Sequence, residues 1–183
     1  MDLDRWMGEQ LLTNLISALV YVLPAYVANG APVVLVRAVE RPRPLDLGRN
    51  FIDGRRILGD GKTFEGLFGG LLSGTAIGLV VSFLLPDTFR SPLEPVALSS
   101  GAMLGDVSGS FAKRRIGISQ GGPLPVVDQT GFLAAALLLA WTIFGPKEWS
   151  DAFTLLLLFL VTALLHLGTN AGAYLLGLKE RWY

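Results

Sequence analysis

Apolar stretches alternate with polar segments along the whole chain, and five of them are long enough to matter. A helix needs about 20 apolar residues to cross the hydrocarbon core of a bilayer. Gln10–Ala28, Gly66–Leu85, Pro95–Ala112, Gly131–Gly145 and Asp151–Leu178 meet or approach that length. The pattern therefore predicts an all-α integral membrane protein with five transmembrane helices. Gly131–Gly145 is short, and Asp151–Leu178 is long enough to tilt or protrude. Pro95–Ala112 carries Asp106 and several Ser and Gly residues, a composition that also suits a helix buried inside the bundle.

Glycine recurs at helical spacing in two of these stretches, at Gly66, Gly70, Gly74 and Gly78 and at Gly101, Gly105 and Gly109. Such stripes let helix backbones approach closely where lipid supplies no hydrophobic drive. They serve packing within one chain or a dimer face, so the oligomeric state stays open.

Composition agrees with the pattern. The 183 residues are 51% hydrophobic and the mean hydropathy is +0.52, more apolar than a soluble domain of this length. The length suits a single transmembrane catalytic domain over residues 1–183. A net charge of zero gives no long-range pull toward nucleic acid, and the absence of cysteine excludes disulfides and thiolate metal sites. The N-terminal MDLDRWMGEQ has mixed charge and no small-residue cleavage site, so it does not read as a removable signal peptide.

Charge distribution changes the picture most. The ionisable residues collect in two loops, Asn29–Glu65 and Lys113–Gly131. The first holds Arg37, Arg41, Arg43, Arg49, Arg55, Arg56 and Lys62, the second Lys113, Arg114 and Arg115, and the C-terminal tail adds Lys179 and Arg181. Only Arg5, Arg90 and Lys147 fall elsewhere. Lys and Arg accumulate on the cytoplasmic side of membrane proteins. The N-terminus is thus expected outside, with both charged loops and the C-terminus inside, and an odd number of crossings satisfies that split.

Several groups in these loops suit phosphate and metal chemistry. The run GDGKT, Gly59–Thr63, ends like a phosphate-binding loop, but that motif needs glycine five residues before Gly61 and Arg56 stands there. What remains is a turn presenting Asp60, Lys62 and Thr63 at a helix start, where backbone amides and a lysine favour an anion. The alternative is an interfacial turn whose lysine snorkels toward headgroups. Asp106 is an acid within a membrane stretch, a functional hypothesis by default; its bland counterpart is a hydrogen-bonded acid that fixes helix register. Ser110 lies one turn beyond it, and Lys113 about 10 Å along the helix, so the three form a polar stripe reaching the inner interface. Asp128 precedes the fourth stretch, where it suits either a helix cap or, with Asp106, a shared magnesium ion. His166 and Asn170 share a face of the last stretch, either as an intramembrane hydrogen-bonded pair or as groups within reach of a headgroup.

These segments resemble the CDP-archaeol synthases, the archaeal CTP:2,3-di-O-geranylgeranylglyceryl phosphate cytidylyltransferases. The resemblance lies in NFIDGRRILGDGKTFEG (Asn50–Gly66), GDVSGSFAKRR (Gly105–Arg115), PLPVVDQTGF (Pro123–Phe132) and the final HLGTNAGAYLLGLK. The middle segments are also distantly similar to CDP-diacylglycerol synthases, matching at Ser110, Lys113, Arg114 and Asp128. The chain departs from those in lacking a His-Gly-Gly stretch, in Gln129 for an arginine and in Gly131 for the second late aspartate. That argues against a two-metal site built on paired late aspartates.

The resemblance implies a membrane enzyme of phospholipid biosynthesis that joins CTP to an isoprenoid ether-lipid phosphate and releases pyrophosphate. It implies Mg2+ as cofactor, with Asp106 and Asp128 as metal ligands. Lys62, Lys113 and Arg114 would hold phosphates, so that Lys62, Asp106, Lys113 and Asp128 form the catalytic set. Asn50, Asp53 and Asp60 would contact nucleotide or order the loop; Thr63, Ser110, Gln129 and Asn170 complete the substrate-binding set. The active site is expected at the cytoplasmic face of the cell membrane, with lipid tails entering laterally along the glycine-lined surfaces. Another lipid-phosphate transferase, a polyprenol kinase or a small transporter are the competing readings.

Overall fold

The computed structural model describes residues 3–177. The expected helix end at Leu178 and the tail cations Lys179 and Arg181 lie outside these residues, as does the side chain of Arg5. Six helices follow one another: α1 Leu3–Tyr21, α2 Leu23–Leu35, α3 Phe64–Leu84, α4 Leu93–Arg115, α5 Val127–Phe144 and α6 Ala152–Leu175. Among the described residues there is no strand, only the isolated bridges Pro44–Thr63 and Asn50–Arg56 within the first loop. The all-helical expectation holds.

Three helices, α3, α5 and α6, are each long and apolar enough to cross a membrane; α1 and α2 reach that standard only together, as a pair bent by 46°. The bend sits where Pro24 enters the first turn of α2, because proline lacks the amide that would continue the α1 hydrogen-bond ladder. The first apolar stretch does not stop at Ala28. Asn29 and Gly30 read as breakers, yet the helix continues through them to Leu35 and then one 3-10 turn, Val36–Ala38. Packing against α3 overrides the local preference. The charged loop therefore begins near Val39 rather than at Asn29.

The glycine stripes explain that packing. A Cβ on Gly70 would lie 2.5 Å from the Ala28 carbonyl, and Gly74 faces the Pro24 carbonyl in the same way, so α2 and α3 touch backbone to backbone. On α4, a Cβ at Gly101 would lie 2.6 Å from Ala136 Cα and one at Gly105 2.8 Å from the Gly131 carbonyl of α5. Both stripes are filled by neighbouring helices of the same chain at Gly70, Gly74, Gly101 and Gly105, while Gly66, Gly105 and Gly109 border a cavity at the charged end. The core between the helices contains Leu98, Ala102, Leu133, Ala136 and Leu158, while Leu72, Phe83, Leu138 and Leu164 point outward, the arrangement of helices surrounded by lipid.

Two helix starts carry side-chain caps. Thr63 accepts a hydrogen bond from the Gly66 amide at the start of α3, and Asp151 accepts from the Phe153 and Thr154 amides at the start of α6. At the same end of the bundle as Asp151, Arg90 donates to the carbonyls of Phe144, Gly145 and Pro146. That ties the α3–α4 connection to the end of α5. At the other end, α4 finishes on Lys113, Arg114 and Arg115, cations placed favourably on the helix dipole.

Candidate functional site

The first charged loop folds around Asp46, whose side chain is fully buried. One carboxylate oxygen accepts from the Gly48 amide and an Arg56 Nη; the other accepts from Arg56 Nε and the Leu58 and Gly59 amides. Burial alone would raise the Asp46 pKa, but the Arg56 pair and three amides outweigh it and hold the carboxyl well below the usual carboxylate range. Arg56 also pairs with Asp60 at 2.7 Å. Gly59, at φ 96°, lets the chain turn where other residues would be strained. On either side of Lys62 the backbone is pinned, by Leu45 N to the Lys62 carbonyl at 2.7 Å and by Phe64 N to the Arg43 carbonyl at 3.0 Å.

This loop aims Lys62 at α4, where its Nζ lies 2.5 Å from Asp106 Oδ2. About two turns on, Lys113 donates to both oxygens of Asp128 at 2.9 Å. Asp128 also accepts from the Leu124 amide at 2.8 Å. It stands in the first turn of α5 rather than at the cap, which is Val126 at φ 68°, a strained conformation for a β-branched residue. Two lysine–aspartate pairs thus come from loop one, α4 and α5. All four side chains are partly exposed, between 14% and 33%, so water and ligands can reach them.

The pairs line one cavity of about 1020 Å³. Thr63, Ser110 and Asn170 line it too, with His166 on the α6 wall. Of the residues singled out from the sequence, Lys62, Thr63, Asp106, Ser110, Lys113, Asp128 and Asn170 are therefore brought together. Asn50, Asp53, Asp60, Arg114 and Gln129 are not among the lining residues. Asn50 is exposed and pairs through its backbone with Arg56. Asp53 pairs with Arg115 at 2.8 Å and accepts from the Arg55 amide, and Asp60 holds Arg56. Both order the loop. Arg114 is buried, donates to the Ser119 carbonyl at 3.1 Å and borders a smaller cavity of about 300 Å³ with Arg55 and Arg56.

The two charged loops are joined directly. Arg55 donates to the Arg115 carbonyl at 2.7 Å, and Arg115 lies over the rings of Phe51 and Phe111 at 4.7 and 4.9 Å. Gln120 accepts from the Asp60 amide and lines both cavities. Asp46, Gln120, Asn29 and Thr169 are site or support residues that sequence reasoning passed over. For Asp46 no signal was available, since an acid within RPRPLDLGRN looks like a solvated one.

Among the described residues, no three His, Cys, Asp or Glu side chains converge as a protein-only metal cage. Magnesium does not require one: it takes one or two carboxylates and completes its shell with phosphate oxygens and water. Asp106 and Asp128, lining one cavity with all-oxygen donors, are a set of that type.

Residues 11–183 match the family described as CarS-like CDP-archaeol synthase. A CDP-archaeol synthase of Pyrococcus horikoshii is 44% identical over 173 residues, covering 92% of this chain and 97% of its own. One of Thermofilum pendens is 41% identical over 91% of this chain and 80% of its own. A solved structure, of an intramembrane enzyme for archaeal membrane lipids biosynthesis, is similar with a TM-score of 0.76 and 36% identity, covering 85% of this chain and 94% of that one. With two lysine–aspartate pairs at one end of a helical membrane bundle and these likenesses along nearly its whole length, the chain belongs to the CDP-archaeol synthase family.

Proposed function

We propose that the chain transfers CMP from CTP to 2,3-di-O-geranylgeranylglyceryl phosphate, giving the unsaturated CDP-archaeol and pyrophosphate, at a magnesium-dependent site facing the cytoplasm. The observation that carries this reading is the convergence of Lys62, Lys113, Asp106 and Asp128 on one cavity. In the bond change, an oxygen of the lipid phosphate attacks the α-phosphorus of CTP, the bond to the β-phosphate oxygen breaks, and pyrophosphate leaves. The attacking phosphate is already ionised near neutral pH, so no general base is needed. The protein's work is positioning and charge neutralisation.

Lys62 and Lys113 exchange their aspartate partners for phosphate oxygens as substrates enter. The carboxylates of Asp106 and Asp128 are released by the same exchange, and they are the residues that would hold magnesium. When bound, the metal supplies charge neutralisation on the phosphate oxygens and on the departing pyrophosphate. Ser110 and Thr63 add hydroxyl donors to the same wall, and Asn170 reaches the headgroup from α6. Asp53 ties the two charged loops together through Arg115, Asp60 holds Arg56 within the first loop, and Arg114 holds the Ser119 carbonyl within the second, so that the lysines stay in place.

Ten of the cations, Arg37 to Lys62 and Lys113 to Arg115, lie in the two charged loops, and the accumulation of Lys and Arg on the cytoplasmic side of membrane proteins supports an inward-facing cavity end. The bent α1–α2 pair, α3, α4, α5 and α6 then make five crossings, with α4 shielded between its neighbours. The test is an assay in detergent with radiolabelled CTP, comparing the archaeal ether-lipid phosphate with phosphatidate, with and without magnesium. Product from the ether lipid that requires magnesium is expected. No product from either lipid overturns the reading.

A further inference from the structure

The helix bundle has one side that is not sealed. On α2, Tyr26, Asn29, Gly30 and Val33 fall on one face, at intervals of three and four residues; on α6, Thr162, His166, Asn170 and Ala173 do the same. At one end these faces meet, where the Tyr26 hydroxyl and Thr162 Oγ1 are hydrogen-bonded at 2.6 Å. The Tyr26 ring also packs on Phe132 at 6.0 Å. From there toward the charged end, Asn29, Gly30 and Val33 on one helix and His166, Asn170 and Ala173 on the other all line the main cavity. A Cβ added at Gly30, which lines the cavity, would meet nothing within 4 Å. The contrast with the α2–α3 seam is sharp, since there a Cβ at Gly70 would collide with the Ala28 carbonyl.

The unsealed stretch is about half a bilayer deep. From Thr162 to Ala173 the helix advances about 16 Å at 1.5 Å per residue, close to the thickness of one leaflet of a core about 30 Å across. Val34, Leu35, Leu164 and Leu165 flank it and are exposed, so its rim is apolar. The cavity it opens from contains Lys62 and Lys113.

We infer that the slot between α2 and α6 seats the two isoprenoid chains of the lipid phosphate, admits them from the inner leaflet, and is closed at its deep end by the Tyr26–Thr162 hydrogen bond. The inference rests on the reading that the second substrate is a lipid phosphate, and it adds which helices the tails pass between. Of the seams that border the cavity, α2–α3 is filled backbone to backbone at Gly70 and Gly74 and α4–α5 at Gly101 and Gly105, whereas the α2–α6 side is open at Gly30. The chains run out between α2 and α6 into the membrane while the headgroup stays at the charged end.

The test uses Gly30→Leu, which places a branched side chain in the slot without meeting packed protein. Two substrates are compared with CTP: the long-chain ether-lipid phosphate, and a water-soluble analogue with short alkyl chains that reaches the lysines from the aqueous side. The expected result is a rise in KM for the long-chain substrate of about tenfold or more, with KM for CTP and kcat/KM for the short-chain analogue within about twofold of wild type. Leu72→Phe, on the exposed face of α3, should change neither. Unchanged long-chain kinetics in Gly30→Leu, or an equal loss on both substrates with CTP binding retained, would overturn the inference. Should Gly30→Leu lose CTP binding, Ala173→Leu is measured in its place and the same two outcomes decide. A wild-type chain that turns over neither substrate would instead overturn the proposed function.

Discussion

Replacing Asp46 by asparagine removes one charge and almost no volume, and its cost can be worked from five contacts. Oδ1 accepts from Gly48 N and an Arg56 Nη, at 3.1 and 2.7 Å. Oδ2 accepts from Arg56 Nε, Leu58 N and Gly59 N, at 3.2, 3.0 and 2.9 Å. Every partner is a donor. An asparagine has only one accepting oxygen, so either orientation of its amide points an NH2 group at donors in a site without water access. Breaking one member of a buried ion pair costs about 3–5 kcal/mol. Arg56 keeps Asp60 as a partner and is 31% exposed, which puts Asp46→Asn near the lower end, about 3 kcal/mol. That corresponds to roughly a hundredfold more frequent opening of the loop. Hydrogen–deuterium exchange at the Gly48, Leu58 and Gly59 amides reads it directly. Asp46→Asn should lose about as much protection as Asp46→Ala, within about 1 kcal/mol, and KM for CTP should rise because Lys62 leaves its position. Asparagine with wild-type protection would refute the argument from an all-donor shell. The pH dependence follows from the lowered pKa of Asp46. Its contribution is complete above the ordinary carboxylate value near pH 4 and is lost as pH falls below that toward the folded value. Loop protection should therefore stay flat from about pH 8 to pH 5 and decline in stronger acid.

Other consequences are simpler to state. Lys113→Gln removes a phosphate cation and leaves Asp128 without its partner; kcat should fall by about a hundredfold or more, with the folded fraction unchanged by thermal scan. Gly74→Leu drives a side chain against the Pro24 carbonyl and Ser99 Oγ, and should destabilise the protein by at least about 1–3 kcal/mol, seen as a lowered Tm in detergent. Arg90→Gln frees the carbonyls at the end of α5; Tm should drop while kcat measured well below it stays near wild type, because this clasp lies at the far end of the bundle from the lysines.

The parts of this fold that could be read from sequence are those where membrane physics leaves few options. Apolar length located α3, α5 and α6 to within a few residues. The cost of an ionisable group in lipid singled out Asp106, and helical spacing placed Ser110 and Lys113 beside it; all three line the cavity. What was missed depended on distant contacts. Asn29 and Gly30 look like the start of a loop, but Ala28 and Pro32 on either side pack closely on the glycine stripe of α3, and the helix runs on through them. The bend at Pro24 divides one apolar stretch into two helices, and composition alone does not say on which side of a proline a stretch will turn. Asp53 and Asp60 were candidates for nucleotide contact or loop ordering, and their partners Arg115 and Arg56 favour ordering. Asp46 was invisible because its role comes from Arg56, Leu58 and Gly59, brought around it by the turn itself.

The most direct test of the central claim follows the phosphorus. The chain is supplied with ether-lipid phosphate, magnesium and CTP labelled either at the α- or at the γ-phosphate, and label in the lipid product is counted. Cytidylyl transfer predicts lipid labelled from the α position only, with the γ label recovered in pyrophosphate. Label passing to lipid from the γ position would make the chain a kinase and contradict the account.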